Sequence, residues 1–259
     1  MLTRLPRLPG EGPDTSAGCR TRSAAAPAAR AAAGPPGPLV MVRPTADVLP
    51  LADSVRLAPY EQERAARLPA GPRRDDFVAA HVLVRLCAAR FTGAPAATLV
   101  LGQICDDCGA EDHGRPFLRG RPDVGVSLSH ARGAVAAAAG PGPVGVDVED
   151  ASGAVFDPRV AARVLAPAEL AVVRADPDPA AAFLRLWVRK EALVKVGVAT
   201  LGGLRELDLM DPDPLSGWRF LDWSSPDGAV TAAAVARITP VVDSGDGTSP
   251  LPYSGKQQT

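Results

Sequence analysis

The sequence predicts a mixed α/β (α+β) fold made of two similar, pseudo-symmetric lobes, and three patterns support that prediction. Residues 129–138 match residues 224–233: each segment has a turn at glycine that leads into a strand of small residues, near the end of one half of the chain. Residues 144–150 alternate valine with other residues, as a half-buried strand does. Residues 187–195 have the four-residue spacing of an amphipathic helix.

Length and composition exclude several classes of protein. The 259 residues can bury a substantial core, and the net charge of −1 gives no reason to expect a nucleic-acid or anionic-membrane partner. No apolar run is long enough to cross a bilayer. Four cysteines in a chain of this length do not form a disulfide scaffold, so we expect a reducing, cytoplasmic location.

Both ends of the chain are poor in the large apolar side chains that a packed core requires. Residues 1–43 are mostly Ala, Pro, Gly and Arg, and residues 240–259 are rich in Gly, Ser, Pro and Asp. We therefore predict two disordered tails, an N-terminal lobe over 44–140 and a C-terminal lobe over 141–239, and we expect deletion of residues 1–40 to leave the fold intact. The Arg-rich first segment is also similar to an organelle transit peptide, an alternative that composition leaves open.

The N-terminal lobe should contain two helices, at about 57–67 and 73–91, separated by a Pro-Ala-Gly-Pro break. Four arginines gather around that break, at Arg64, Arg67, Arg73 and Arg74. They form either a solvated basic surface or a site for phosphate groups.

The next segment contains Cys105 and Cys108, with His113 five residues further on. A structural zinc site normally has four protein ligands, and the chain offers no second Cys-x-x-Cys pair. We therefore expect a loop with two reduced thiols here.

Two carboxylates share one face of the strand predicted at 144–150. Asp147 and Glu149 are two residues apart, so their side chains point the same way. Carboxylates held this close repel each other unless a cation lies between them, and a hard divalent ion such as Mg²⁺ is the usual partner of such a pair. A solvated strand end is the alternative.

The helix at 187–195 places an acid and an ammonium group on one face, because Glu191 and Lys195 are four residues apart. Arginine is the default cation of this chain, whose lysines are Lys190, Lys195 and Lys256. Two lysines in one helix therefore indicate a need for a compact point charge. Glu191 could supply a third carboxylate for Mg²⁺, and a solvated Glu–Lys pair is the alternative.

Three further elements are expected in the C-terminal lobe. The pattern predicts a short helix around 167–170 and strands near 204–209 and 218–223.

Four motifs, in this order, resemble those of the 4′-phosphopantetheinyl transferases, in the monomeric two-lobed branch that activates the carrier proteins of synthetases. They are Gly-Arg-Pro at 114–116, Ser-Leu-Ser-His at 127–130, Gly-Val-Asp-Val-Glu at 145–149 and Trp-Val-Arg-Lys-Glu-Ala-Leu-Val-Lys at 187–195. The resemblance covers roughly residues 57–239 and implies the two-lobed, pseudo-symmetric fold of that family.

The resemblance also implies an activity and its partners. It implies an enzyme that uses Mg²⁺ to transfer 4′-phosphopantetheine from coenzyme A to a serine of an apo acyl or peptidyl carrier protein, with release of 3′,5′-ADP. It implies a monomer without a nucleic-acid or membrane partner. The glycine-rich run that usually follows the last motif differs here at 195–203, which leaves the preferred carrier protein open.

Residue roles carry over from the matched motifs. Asp147, Glu149 and Glu191 would hold Mg²⁺, Glu191 would also be the base, and Lys195 would stabilise the leaving phosphate. The implied contacts to coenzyme A are Arg64, Arg73, Arg74, Arg115, Pro116, Ser129, His130, Asp147, Lys190 and Lys195.

Two other functions stay open at this point. Another Mg²⁺-dependent phosphotransferase would use the same carboxylates, although the chain has no Gly-x-x-x-x-Gly-Lys-[Ser/Thr] phosphate loop. A non-catalytic module that binds coenzyme A or a carrier protein would not require both Glu191 and Lys195.

Overall fold

Helices and strands follow one another in a similar order in the two halves of the chain. The computed structural model describes residues 37–105, 108–111, 113–211, 213 and 215–243. The elements of the first half are β1 (Leu39–Pro44), α1 (Thr45–Val48), α2 (Pro59–Arg67), α3 (Pro72–Thr92), β2 (Leu101–Ile104), β3 (Arg115–Leu118), β4 (Val124–Ala131) and β5 (Ala134–Pro141). Those of the second half are β6 (Val144–Asp150), α4 (Pro158–Val164), α5 (Pro167–Ala175), α6 (Pro179–Lys195), β7 (Arg219–Ser224), β8 (Val230–Ala236) and β9 (Val241–Val242). Short 3₁₀ helices cover Leu49–Ser54, Ala96–Thr98 and Leu201–Gly203.

The strands form two sheets, which confirms the predicted mixed α/β fold. One sheet has the order β2-β3-β4-β5-β1-β9, and the other has the order β6-β8-β7. The pairs are antiparallel except for β1 with β9, which is parallel. The arrangement β4-β5-β1 in the first sheet matches β7-β8-β6 in the second, so the order of corresponding strands repeats.

Small residues allow the two sheets to pack face to face between α3 and α6. Side chains along β5 alternate between two cores. Val135, Ala137 and Ala139 face the core shared with α3, whereas the alanines at 134, 136 and 138 pack against β6 and β8. On β6, the valines at 144, 146 and 148 face the other sheet, so its remaining side chains face α6. The layers are therefore helix, sheet, sheet and helix.

The β4–β5 and β7–β8 hairpins form the internal repeat that the sequence indicated. Gly133 lies in the turn between β4 and β5 with φ of 73°, and Gly228 lies in the turn between β7 and β8 with φ of 72°. This left-handed conformation is unfavourable for other residues, which explains why both repeats have glycine at the same position.

A second repeat places a buried ion pair in each half. Ala-Pro-x-Glu begins both α2 and α5, and the glutamates Glu61 and Glu169 accept hydrogen bonds from the backbone N–H of the alanine three residues earlier. Glu61 also binds Arg85 of α3, with 2.9 Å between Oε1 and Nη1, and Glu169 binds Lys190 of α6 at 2.7 Å. All four side chains are fully buried.

Two tail boundaries and one strand predicted from the sequence are wrong. Residues 39–43 were expected in the N-terminal tail but form most of β1, because Leu39 and Val40 are buried in the two core clusters. Residues 241–242 were expected in the C-terminal tail but pair with β1 as β9. Residues 204–209 are a turn and not a strand. The rest of the two predicted tails, 1–36 and 244–259, lies outside the described residues.

The described residues of both sheets belong to one compact unit. In the described ranges, we find no helix of the length and apolar character that crossing a bilayer requires.

Candidate active site

Helix α6 lies directly on strand β6 because residue 145 is glycine. A Cβ atom at Gly145 would lie 2.1 Å from the carbonyl oxygen of Ala192, a distance that no real contact allows. The close approach brings the face of α6 that carries Glu191 and Lys195 over the face of β6 that carries Asp147 and Glu149. The glycine of the Gly-Val-Asp-Val-Glu motif therefore has a packing role that positions the acidic residues.

Two serines of the Ser-Leu-Ser-His motif fasten β4 to β6. Ser127 Oγ accepts a hydrogen bond of 3.1 Å from the backbone N–H of Val146, and Ser129 Oγ donates one of 2.7 Å to Asp147 Oδ1. Because the serines are two residues apart on a strand, both can reach the neighbouring strand. Their hydroxyl groups thus fix the start of the acidic segment.

Asp147 is nearly inaccessible to solvent, with 5% of its surface exposed. Its Oδ1 accepts hydrogen bonds from Ser129 and from Lys195 Nζ, the latter at 2.8 Å. Its Oδ2 is buried and, among the described residues, has no hydrogen-bond donor. A buried carboxylate oxygen without a donor is unfavourable, and a cation would satisfy it.

Lys195 connects α6 to both strands. Its Nζ lies 2.8 Å from Val146 O, 2.8 Å from Asp147 Oδ1 and 3.3 Å from Leu128 O. An ammonium group has three N–H donors, so these contacts occupy all of them. Lys195 therefore contributes positive charge to the site, but it does not present a spare donor.

Glu149 and Glu191 complete a set of three carboxylates. Trp187 Nε1 donates a hydrogen bond of 2.8 Å to Glu149 Oε1, and the Trp187 ring stacks on Phe183 with 6.2 Å between centroids. Glu191 is half-buried, and among the described residues no group donates a hydrogen bond to its carboxylate. Its oxygens are therefore available to a ligand.

The pKa directions show that the three carboxylates interact. Burial raises the pKa of Glu191, the charge of Asp147 raises it further, and Lys195 opposes the rise. Burial also raises the pKa of Glu149, whereas the Trp187 hydrogen bond lowers it and the charge of Asp147 raises it. Both shifts arise because negative charges are held together away from water, and a divalent cation would reverse them.

These residues fit a Mg²⁺ ion. The donors are carboxylate oxygens, which suit a hard cation, and the buried Oδ2 of Asp147 has no protein partner in the described part of the chain. Within those same residues, oxygens of all three acids do not lie within 4.8 Å of one another. The three acids therefore do not enclose an ion by themselves, and water and substrate oxygens would supply the remaining ligands.

A cleft of about 920 Å³ lies beside the acidic residues. Six of the predicted site residues line it, namely Arg64, Arg115, Pro116, Ser129, His130 and Lys195. Ser129 and Lys195 both line the cleft and bind Asp147, so they connect the cleft to the acidic set. The volume is in the range of small-molecule and cofactor pockets.

Three cationic side chains and one carboxylate act on His130 in the cleft. The pKa of His130 is lowered, first by partial enclosure and then by Lys195, Arg64 and Arg73, while Asp76 opposes the effect. Arg73 does not line the cleft, but its charge reaches His130. Several cations that converge on one wall indicate an anionic ligand such as phosphate.

Two residues assigned to coenzyme A from the sequence make structural contacts. Lys190 is fully buried, and its Nζ binds Glu169 together with the carbonyl oxygens of Leu204 and Leu207, at 2.6 and 2.5 Å. Arg74 donates to the carbonyl oxygens of Leu68 and Ala66 and so caps the end of α2. Neither side chain lines the cleft. The full burial of Lys190 makes its assignment wrong, whereas the assignment of Arg74 stays a prediction.

Several residues of the cleft were not assigned from the sequence. Gln103, Thr200 and Phe77 line it, and Trp187 orients Glu149 from outside it. Trp187 belongs to the matched motif and is four residues from Glu191, which is the signal that could have identified it. Gln103 and Thr200 lie in segments whose pattern carries no such signal, because only the fold brings them to the cleft.

The fold and this site define a class of protein: an α/β protein with an acidic strand and helix beside a cleft lined with basic side chains. Residues 143–230 match the family model described as the 4′-phosphopantetheinyl transferase superfamily. A 4′-phosphopantetheinyl transferase of Bacillus subtilis is 28% identical over 116 residues, which is 44% of this chain and 48% of that protein. The aligned part thus spans about half the length of the curated relative.

These two matches confirm the superfamily resemblance that the sequence motifs indicated, over the part of the chain that they cover. The matched segment contains β6 and α6, and with them all three carboxylates and Lys195.

Proposed function

We propose that this protein transfers the 4′-phosphopantetheine group of coenzyme A to a serine hydroxyl of an apo acyl or peptidyl carrier protein in the cytoplasm. The observation that carries the proposal is the contact of Asp147 with Ser129 and Lys195, two residues that line the cleft together with basic side chains. The match of residues 143–230 to the superfamily supports the reaction class.

Coenzyme A would occupy the cleft with its phosphates against the basic wall. Arg64, Arg115 and His130 line the cleft, and Arg73 contributes charge from its edge. Arg115 packs on Gly197, since a Cβ atom there would lie 3.0 Å from Arg115 Nη1. A guanidinium group held in this way is oriented toward a phosphate before the ligand arrives.

Asp147, Glu149 and Glu191 would hold Mg²⁺, which when bound supplies the positive charge that orients and neutralises the pyrophosphate. Ser129 and Lys195 occupy Asp147 Oδ1, which leaves Oδ2 for the ion. Trp187 occupies Glu149 Oε1 in the same way. The hydrogen bonds thus select which oxygen of each acid is presented.

Glu191 would accept the proton of the carrier serine. The serine oxygen attacks the phosphorus nearer to pantetheine, the bond to the other phosphate breaks, and 3′,5′-ADP leaves. Glu191 is half-buried and receives no hydrogen bond from the described residues, so an oxygen that does not hold the ion is available to take up the proton. Lys195 would stabilise the charge on the departing phosphate through its field, since its donors are occupied.

Intact-mass measurement tests the proposal. The full chain is incubated with coenzyme A, Mg²⁺ and a panel of apo carrier proteins, each with a matched carrier in which the acceptor serine is alanine. We expect one phosphopantetheinyl group to be added to a serine carrier and none to its alanine version.

The same measurement separates the alternatives. A module that only binds coenzyme A or the carrier would leave the carrier mass unchanged, and a phosphotransferase that moves only a phosphate of coenzyme A would add a phosphate-sized mass. Either result would contradict the proposal.

A further inference from the structure

Cys105, Cys108 and His113 lie together in the loop that joins β2 to β3. One potential ligand atom from each lies within 4.8 Å of the other two, and Cys108 Sγ is 3.4 Å from His113 Nε2. The sequence has no second Cys-x-x-Cys pair, which argues against zinc. In the folded chain, however, His113 lies close to the two thiols. We propose that these three side chains bind one Zn²⁺ ion, with water as the fourth ligand.

The donor set selects zinc over the magnesium proposed for the acidic residues. Thiolate sulfur and imidazole nitrogen are the ligands that Zn²⁺ prefers, whereas Mg²⁺ requires oxygen. The Cys-x₂-Cys spacing is also within the range seen in structural zinc sites. The two sites would thus bind different ions because of their donor chemistry.

The backbone already forms a turn that brings the ligands together. Gly109 N–H donates to Cys105 O at 2.8 Å, and Cys105 N–H donates to Ala110 O at 2.9 Å. Gly109 has φ of 71°, which allows the chain to reverse directly after Cys108. A preformed turn lowers the entropy that an ion must offset when it binds.

The described part of the loop has little apolar packing that would otherwise order it. Cys108, Gly109, Glu111 and His113 are all exposed to solvent. An exposed, metal-free cysteine is open to oxidation, and two of them in one loop form a disulfide readily. A bound ion would both order the loop and protect the thiols.

The ion would fix one wall of the cleft. The loop begins after Ile104 and ends before Arg115, which face each other in the β2–β3 register. Cys105 and Arg115 both line the cleft. Zinc would therefore hold the strand end that presents Arg115, without contact to the three carboxylates.

Metal content tests this proposal without reference to any enzymatic activity. The full chain is loaded with Zn²⁺ under reducing conditions, dialysed, and analysed by elemental mass spectrometry, and affinity is measured by competition with a chromogenic chelator. Co²⁺ is then substituted, since thiolate coordination to Co²⁺ gives a charge-transfer absorption. Cys108→Ser and His113→Gln remove one ligand each, and Cys19→Ser and Asp147→Asn are the controls.

We expect one zinc per chain, a thiolate band with Co²⁺, and affinity weakened by at least about 100-fold in each ligand variant. The controls should keep the ion, and circular dichroism should show that all variants fold. Retention of zinc by Cys108→Ser and His113→Gln would overturn the proposal. So would a reduced chain that binds no zinc, or a Cys105–Cys108 disulfide whose reduction restores no zinc binding.

Discussion

Two lysines of α6, five residues apart, have opposite environments. Lys190 is fully buried against Glu169, whereas Lys195 lies at the cleft and binds Asp147. Both were assigned to coenzyme A from the family resemblance, and the rarity of lysine in this chain indicated a need for a compact point charge in this helix. The signal for Lys190 was present in its spacing: it lies four residues after Leu186 and three before Leu193, both of which are buried. A residue in a buried stripe of a helix packs inside, whatever its charge.

Replacement of Lys190 by methionine should destabilise the protein without weakening coenzyme A binding. The change leaves Glu169 buried without its partner, so we expect the free energy of unfolding to fall by about 3–5 kcal/mol in urea denaturation. The double variant Lys190→Met with Glu169→Gln should recover part of this loss, since the amide can still accept from Ala166. A stable Lys190→Met protein with weakened coenzyme A affinity would show that Lys190 is a ligand contact.

Asp147→Asn should abolish most Mg²⁺-dependent turnover and leave the protein folded. The amide oxygen can still accept from Ser129 and Lys195, but the negative charge at the buried Oδ2 position is lost. We expect turnover to fall by at least about 100-fold at ordinary Mg²⁺ concentrations. Asp150→Asn is the matched control on the same strand, because Asp150 contacts Ser152 and Arg132 and not the cleft. Equal turnover in the two variants would contradict the metal assignment.

Stability should depend on pH through His81. Burial lowers its pKa from the ordinary 6.5 to about 4, so the folded imidazole stays neutral while the unfolded one takes up a proton. Proton uptake by the unfolded chain favours unfolding, so this contribution is present above pH 6.5 and is lost as the pH falls toward 4, by up to about 3 kcal/mol.

The slope of unfolding free energy against pH checks this contribution. His81→Asn keeps a donor near Phe77 O but does not titrate, so its slope between pH 6.5 and 4 should be shallower than that of the parent. Parallel slopes for the two proteins would show that His81 is not responsible.

At the scale of elements, the sequence pattern predicted the strands and helices with strong periodicity. It missed the strands that depend on pairing with distant segments. The strand at β6 and the helix at α6 follow from period alone, as does the shared face of Asp147 and Glu149. Strand β1 was missed because its four apolar residues follow a long Pro-rich and Ala-rich segment, and its partner β5 lies about a hundred residues away. Short strands are stabilised by such non-local pairing, which no local pattern reports.

Two truncations test the role of β1. A chain that begins at Gly37 keeps all of β1, whereas a chain that begins at Met41 loses Leu39 and Val40, of which 4% and 2% are exposed. Burial of two such side chains contributes about 3–6 kcal/mol, so the shorter chain should unfold at a lower urea concentration by a corresponding amount. Equal stability of the two would show that residues up to 40 are dispensable, as the sequence suggested.

At the scale of the whole molecule, the two halves repeat the fold but not the chemistry. Each half has a hairpin with glycine in the turn and an Ala-Pro-x-Glu helix start with a buried ion pair. The carboxylate set belongs to β6 and α6 of the second half, and the basic residues of the cleft come mainly from the first. The site therefore forms where the two halves meet, between Ser129 of β4 and Asp147 of β6.

The same comparison explains which site residues could be predicted. Asp147, Glu149, Glu191 and Lys195 lie in two short segments whose internal spacing fixes their directions. Side chains such as Gln103 and Thr200 reach the cleft only because separate loops converge there, so spacing along the chain gives no indication of them.

The most direct test of the account is the pair of values for turnover and coenzyme A affinity of Glu191→Gln, measured on one preparation. The variant keeps the size and one oxygen but loses the charge and the ability to take up a proton. We expect turnover to fall by roughly 10²–10⁴-fold while coenzyme A affinity changes much less, and Glu206→Gln, an exposed glutamate, to behave as the parent. Parent-like turnover of Glu191→Gln would contradict the central claim that this carboxylate serves the transfer reaction.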